Sequence, residues 1–92
     1  MTQRIEKSLT IVNKLGLHAR AATQLVQLAN QFEAEIMLNK DDKEANANSV
    51  LGLMMLESAQ GAQVKVVVTG PDAENAMAAV ETLIAGRFNE DE

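Results

Sequence analysis

The sequence predicts an α+β fold in which a four-stranded antiparallel sheet is covered on one face by three helices. Segments with alternating apolar residues and segments with helical spacing follow one another in the order strand, helix, strand, strand, helix, strand, helix. The 92 residues are 47% hydrophobic and 23% charged, which is typical of a folded domain rather than a disordered chain. We therefore expect a single domain over residues 1–92.

The first strand and the first helix are predicted from two different periodicities. Ile5, Leu9 and Ile11 alternate with polar residues, which indicates a strand from about residue 4 to residue 12. A helix over about 19–32 follows, because the next apolar residues recur at helical spacing and leave a polar opposite face. These apolar residues are Ala22, Leu25, Val26, Ala29 and Phe32.

The middle of the chain predicts a hairpin and a short helix. Ile36 and Leu38 alternate with polar neighbours, and a charged turn over 40–43 leads into a weaker strand pattern over 44–47. Either Asn48 or Ser49 is expected to cap a helix over about 50–58. Gly61 is placed to help end that helix.

The last strand and the last helix have the clearest patterns. Val64, Val66 and Val68 alternate along a strand that a Gly-Pro pair ends. Asp72 is expected to cap a helix that runs to about Gly86, and the chain closes with an acidic tail.

The composition excludes several classes of protein. Cysteine is absent and there is a single histidine, so we expect no disulfide, no metal site and no cofactor. The net charge of −5 and only two aromatic residues argue against nucleic-acid binding. The longest apolar stretch, 50–56, is shorter than the roughly 20 residues of a membrane-spanning helix. With no signal-peptide pattern at its start, the chain is expected to be cytoplasmic.

The start of the first helix breaks the usual rules for a helix N-terminus. It has no capping side chain and no first-turn carboxylate, and Arg20 places a cation there at a cost of about 0.3–1 kcal/mol. An anion would resolve this conflict, because the amides of Ala19, Arg20 and Ala21 and the guanidinium together form a phosphate cradle. The helix end disfavours an imidazolium, so His18 is expected to be neutral and nucleophilic.

A structural interpretation of the same residues stays open. His18 can be an ordinary surface residue, and Arg20 can be solvated or paired with a distant carboxylate. Gly16 can serve only to end the first strand.

The short helix is apolar at nearly every position, although one side of a helix that covers a sheet faces water. An exposed subset, Val50, Leu51 and Met54, is therefore predicted to form a docking patch for partner proteins. The alternative is that a small domain buries these side chains in its core.

Three separated segments of the sequence can now be compared with known families: NKLGLHARAA at 13–22, NANSV at 46–50 and LMML at 53–56. Together and in this order they resemble the HPr family of phosphocarrier proteins. Parts of these segments and the TGP turn at 69–71 are most similar to the nitrogen-related NPr branch of that family. The resemblance covers essentially the whole chain. It implies an open-faced β-sandwich, which agrees with the order of elements predicted above.

The resemblance also implies a function. His18 would accept a phosphoryl group from enzyme I, or from its nitrogen paralogue, and pass it to a IIA-type protein. Arg20 matches the family's phosphate-stabilising arginine, and Ser49 matches a serine that HPr kinase phosphorylates in some bacteria. The chain would then be a monomeric carrier with a transient phosphohistidine rather than an independent catalyst. Ala21 stands where many members have proline, which leaves the effect on partner choice open.

Two other functions remain as alternatives. A regulatory binding protein with the same fold would act by docking through Val50, Leu51 and Met54, under control of Ser49 phosphorylation. A small-ligand-binding α+β domain would bind a metabolite and would not be phosphorylated by enzyme I. Replacing His18 by alanine would abolish a phosphate relay and leave docking intact.

Overall fold

The computed structural model describes residues 2–90, and their arrangement confirms the predicted fold. The four strands form one antiparallel sheet in the order β1-β4-β2-β3. The elements are β1 (Gln3–Thr10), α1 (Ala19–Ala29), β2 (Glu35–Lys40), β3 (Lys43–Asn46), α2 (Val50–Met54), β4 (Gln63–Gly70) and α3 (Ala73–Ala85). Two residues of the predicted acidic tail, Asp91 and Glu92, lie outside the described residues.

The core lies between one face of the sheet and the helices. The three alternating valines of β4, Val64, Val66 and Val68, are fully buried, and Leu38 of β2 lies opposite Val66. Burying a side chain of this size contributes about 1.5–3 kcal/mol. The opposite face is polar, and Lys65 and Glu6 form an ion pair there at 3.2 Å. No helix among residues 2–90 has the length and hydropathy needed to cross a membrane.

The first helix is shorter than predicted. It ends at Ala29 rather than at residue 32, because the amides of Gln31 and Phe32 donate to carbonyls only three residues back, those of Leu28 and Ala29. Phe32 keeps its helical spacing in the sequence and packs against the core from this tightened turn.

Asp72 does not cap the last helix with its side chain, contrary to the prediction. Its carboxylate instead accepts hydrogen bonds from the backbone amides of Glu33 at 3.0 Å and Ala34 at 2.9 Å. The same contact holds the chain after α1 in a non-helical path toward β2. Asp72 is therefore the N-cap residue of α3 by position, as predicted, but its side chain binds the segment between α1 and β2 instead of the amides of its own helix.

The second helix is also shorter than predicted. Ser49 caps it, since its hydroxyl oxygen accepts a hydrogen bond from the Gly52 amide at 3.0 Å. The helix ends at Met54, and the amides of Leu56 and Glu57 donate to carbonyl oxygens only three residues back. The side chain of Lys40 donates to the carbonyl oxygens of this turn, at 3.2 Å and 2.9 Å. Gly61 does not end this helix; it lies in the turn before β4, where its amide donates to Ile11 at 2.7 Å.

Candidate active site

His18 is the residue from which the first helix begins. Its backbone is extended and its side chain forms no capping hydrogen bond, while its carbonyl oxygen accepts from the Ala22 amide at 2.8 Å. The first amides of a helix have no intrahelical acceptor, so those of Ala19, Arg20 and Ala21 lie unpaired at this end. No acidic side chain occupies the first turn. The anomaly predicted from the sequence is therefore present in the structure.

The loop before His18 is fixed by a close approach of two backbone segments. Gly16 has a φ of +69°, and a Cβ atom there would lie 2.3 Å from the carbonyl oxygen of Ser58. The next amide, that of Leu17, donates to the same oxygen at 2.8 Å. Gly16 therefore does more than end a strand, because it lets the loop pack closely enough to set the position of His18.

The imidazole of His18 lies between two oxygen acceptors. Nδ1 is 3.1 Å from the Gly16 carbonyl oxygen, and Nε2 is 3.6 Å from a carboxylate oxygen of Glu90. The second distance is too long for a hydrogen bond, and the contact would be an ion pair only with a protonated ring. Because the side chain is 30% exposed, the ring remains accessible to another molecule.

Glu90 and Asn13 belong to the site, and sequence analysis missed both. Asn13 is fully buried, and its amide nitrogen donates to Gly16 at 2.8 Å and to Glu90 at 3.1 Å. The sequence assigned Glu90 only to an acidic tail. The one available signal for Asn13 was a polar residue directly after the predicted first strand, and that signal does not identify its partner.

A left-handed turn over Arg87–Asn89 brings Glu90 to the site. All three residues have positive φ values, between 53° and 62°, which residues other than glycine rarely adopt. Phe88 is fully buried at the centre of the turn. The side-chain amide of Asn89 donates to Gln24 of α1 at 3.0 Å. The end of the described chain is thus fastened to the core and to the first helix.

Arg20 lies in the first turn of α1 and is exposed. Within residues 2–90 it forms no hydrogen bond and no ion pair, so the alternative of a distant carboxylate partner finds no support there. Its guanidinium is therefore available to an anion at the helix N-terminus.

The predicted docking patch is only partly exposed. Leu51 and Met54 are exposed on α2, whereas Val50 is half-buried and packs against the core. Met55 is also exposed, although the prediction left it out. On the other side of the site, Leu15 is exposed and shares a shallow depression with His18. Apolar surface is therefore present both on α2 and beside the histidine.

Known proteins are similar to this chain in sequence and in fold. Residues 5–86 match the family model described as the PTS HPr component phosphorylation site. The chain belongs to the HPr family of phosphotransferase-system phosphocarriers. Members of this family carry phosphate between enzyme I and IIA-type proteins. His18, Arg20 and Ser49 lie within the matched range, and Glu90 lies beyond it.

Individual relatives agree with this membership. The phosphocarrier protein NPr of Shewanella violacea is 47% identical over 87 residues, which cover 95% of this chain and 96% of the relative. The phosphocarrier protein HPr of Xylella fastidiosa is 44% identical, covering 95% and 98%. The crystal structure of HPr-C-His from Thermoanaerobacter tengcongensis superposes with a TM-score of 0.90 at 42% identity, covering 96% of this chain and 99% of that one.

The HPr-type site of this chain holds no cluster suited to a metal. Among residues 2–90, no three histidine, aspartate or glutamate side chains come together in a way that could bind an ion. The groups available for chemistry are the imidazole, the first-turn amides, the guanidinium of Arg20 and the carboxylate of Glu90.

Proposed function

We propose that His18 accepts a phosphoryl group from phosphorylated enzyme I and passes it to a IIA-type protein. One observation supports this above the others: an accessible imidazole begins a helix whose first amides are unpaired, next to the unpaired Arg20. A phosphoryl group placed there interacts favourably with the amides, with the helix dipole and with the guanidinium.

The transfer is a displacement at phosphorus. A lone pair of the His18 ring forms a new nitrogen–phosphorus bond while the bond from phosphorus to a histidine nitrogen of enzyme I breaks. The electron pair of the broken bond stays with the nitrogen of enzyme I. The second transfer repeats this exchange with the IIA-type protein, so the phosphoryl group moves twice and no other reactant is consumed.

We expect the phosphoryl group on Nδ1, because this nitrogen is bonded to Cγ, as is the side-chain oxygen of an asparagine at the same capping position, and that oxygen reaches the first-turn amides. Nδ1 lies 3.1 Å from the Gly16 carbonyl oxygen, so the ring turns before it reacts. The amides of Ala19, Arg20 and Ala21 and the guanidinium would then bind the phosphoryl oxygens. Their hold must be moderate, because a carrier that bound the group too tightly would not release it.

Partner docking would use the apolar surface next to this site. Leu51 and Met54 are exposed on α2, with Val50 at their edge, and Leu15 is exposed beside His18. A small apolar patch with a polar rim suits the short-lived complexes that a carrier forms. The cytoplasmic location expected from the sequence is part of this proposal.

The nitrogen-related branch is the finer part of the proposal. It is supported by the resemblance of four sequence segments to NPr and by the NPr relatives. HPr relatives of similar identity make a comparison of the two branches necessary. The corresponding partners are the nitrogen paralogue of enzyme I and a nitrogen-branch IIA protein.

Ser49 is the proposed site of regulation by HPr kinase. Its hydroxyl oxygen accepts a hydrogen bond from the Gly52 amide at 3.0 Å. A phosphate attached to that oxygen would therefore remain at the N-terminus of α2, where its negative charge is favourable. It would also lie next to Leu51 and disfavour an acidic partner. A regulator that acts only by docking would use the same surface without turnover at His18.

A relay experiment tests the proposal. The chain is incubated with labelled phosphoenolpyruvate, each enzyme I paralogue and a IIA protein of the sugar or nitrogen branch. We expect label to reach the IIA protein fastest through the nitrogen pair, and not at all with His18→Ala. The matched variant Leu51→Gln should keep His18 phosphorylation at high enzyme I concentration and lose rate at low concentration. If neither enzyme I labels the chain, the carrier function is wrong; if His18→Ala abolishes the relay but keeps the regulatory effect on a partner protein, the docking regulator is favoured.

A further inference from the structure

The side chain of Glu90 is held in a constrained position. Its side chain is only 12% exposed, and one carboxylate oxygen accepts the Asn13 amide at 3.1 Å. The other oxygen is buried and has no hydrogen-bond partner within residues 2–90. A buried acceptor without a donor is unfavourable, so an arrangement of this kind calls for an explanation.

The backbone that leads to Glu90 is also unfavourable by itself. Three consecutive residues with side chains, Arg87–Asn89, have left-handed φ values. Buried Phe88 and the bond from Asn89 to Gln24 maintain this turn. Its result is that the carboxylate of Glu90 faces Nε2 of His18 at 3.6 Å.

We propose that Glu90 is a positioning residue for His18, whose tethered carboxylate occupies the Nε2 side of the ring and directs the phosphoryl group to Nδ1. The inference rests on the proposed function, since it concerns the same reaction. It concerns a residue outside the range 5–86 that the family model matches.

The ring has one proton to share between two acceptors when it is neutral. If the proton is on Nδ1, it is donated to Gly16, and the lone pair of Nε2 faces the Glu90 carboxylate. If it is on Nε2, it is donated to the carboxylate, a stronger acceptor than a carbonyl, once the 3.6 Å separation closes by several tenths of an ångström. Glu90 therefore favours the form in which Nδ1 has the free lone pair.

The same placement acts during transfer. As the lone pair of Nδ1 forms the bond to phosphorus, positive charge develops on the ring, and the carboxylate next to Nε2 stabilises it. Nε2 keeps its proton throughout, and the electron pair of the broken bond remains on the donor's nitrogen. A phosphoryl group on Nε2 would instead lie against a like-charged carboxylate. The ring has to turn away from the Gly16 carbonyl for Nδ1 to react.

Nitrogen NMR of the unphosphorylated protein tests this directly, at a pH at which the His18 ring is neutral. We expect the proton on Nε2 in the wild type, a shift of the population toward Nδ1 in Glu90→Ala, and an intermediate population in Glu90→Gln. Glu44→Gln is the matched control, because it removes one negative charge from the exposed edge strand β3.

The rate of phosphorylation by enzyme I is the second readout. Loss of a partner that fixes the tautomer should slow phosphorylation of Glu90→Ala by roughly tenfold, with Glu44→Gln unchanged. An unchanged tautomer population in folded Glu90→Ala and Glu90→Gln would overturn the proposal, whatever the rates. If the wild type takes no phosphate while the tautomer shifts as expected, the proposed function is wrong, and what remains of the proposal is the effect of Glu90 on the proton of the ring.

Discussion

Asn13 and Glu90 lie at opposite ends of the chain, and the Asn13 side-chain amide donates to the Glu90 carboxylate at 3.1 Å. The same nitrogen donates to the Gly16 carbonyl at 2.8 Å. One buried amide therefore fastens the loop that precedes His18 to the residue that faces its ring.

Replacing Asn13 by alanine should lower the free energy of unfolding by about 1–3 kcal/mol, because two acceptors lose their shared donor in a buried position. Asn13→Asp should be worse, since it places a second carboxylate against Glu90. Urea denaturation measures both variants. Asn48→Ala, at an exposed position, is the control and should change the free energy by less than about 0.5 kcal/mol. Equal effects at the two sites would contradict the structural role of Asn13.

Arg20→Ala should slow phosphorylation by enzyme I by roughly a hundredfold, as expected when a group that stabilises developing charge is removed. Its folding stability should be unchanged or slightly higher, because the variant removes a cation from the positive end of α1. Arg20→Lys should recover part of the rate, since lysine keeps the charge but not the two parallel hydrogen bonds. Initial rates together with thermal melting test this. A slow Arg20→Ala that is also much less stable would point to a structural role.

Gly16 and Gly61 offer a matched pair of substitutions. Both have positive φ, but a Cβ atom at Gly16 would meet Ser58 at 2.3 Å, whereas one at Gly61 would meet nothing within 4 Å. Gly61→Ala should therefore lower the free energy of unfolding by only about 1 kcal/mol, the cost of a residue with a Cβ atom at positive φ. Gly16→Ala should lower it clearly more, because of the clash with Ser58. Only Gly16→Ala should move the NMR signals of His18. Similar losses for the two variants would show that the contact with Ser58 does not matter.

Ser49→Ala should destabilise the protein by about 0.5–2 kcal/mol, because the Gly52 amide loses its capping acceptor. Ser49→Asp should restore the cap, since aspartate is as good a capping residue and its charge suits a helix N-terminus. The same variant should bind enzyme I more weakly if that surface of enzyme I is acidic. Chemical denaturation and titration calorimetry separate the two effects. A destabilised Ser49→Asp would argue against the cap.

The parts of the fold that depend on neighbouring residues were predictable from the sequence. The alternating valines of β4 gave its buried face, and the missing cap before Ala19 marked the start of α1 as unusual. Ser49 was one of two predicted caps, and it is the one the structure uses. In each case the physical cause lies within about four residues, so a local pattern contains it.

The parts that depend on distant residues were not predictable. The carboxylate of Asp72 accepts hydrogen bonds from backbone amides that lie 38 and 39 positions earlier, rather than from amides of its own helix. The side chain of Lys40 donates to a backbone carbonyl in the turn after α2. The contact between Asn13 and Glu90 spans 77 positions. These side chains look like ordinary caps, turns and tails in the sequence, because their partners are chosen by the folded chain rather than by spacing.

The most direct test of the account is to locate the phosphoryl group after reaction with enzyme I and phosphoenolpyruvate. Nitrogen–phosphorus coupling in the NMR spectrum of the phosphorylated, isotope-labelled protein identifies both the residue and the ring atom. We predict an acid-labile adduct on His18 with phosphorus bonded to Nδ1. A stable adduct on another residue, or no adduct in the presence of active enzyme I, would contradict the central claim that the imidazole at the start of α1 is the carrier.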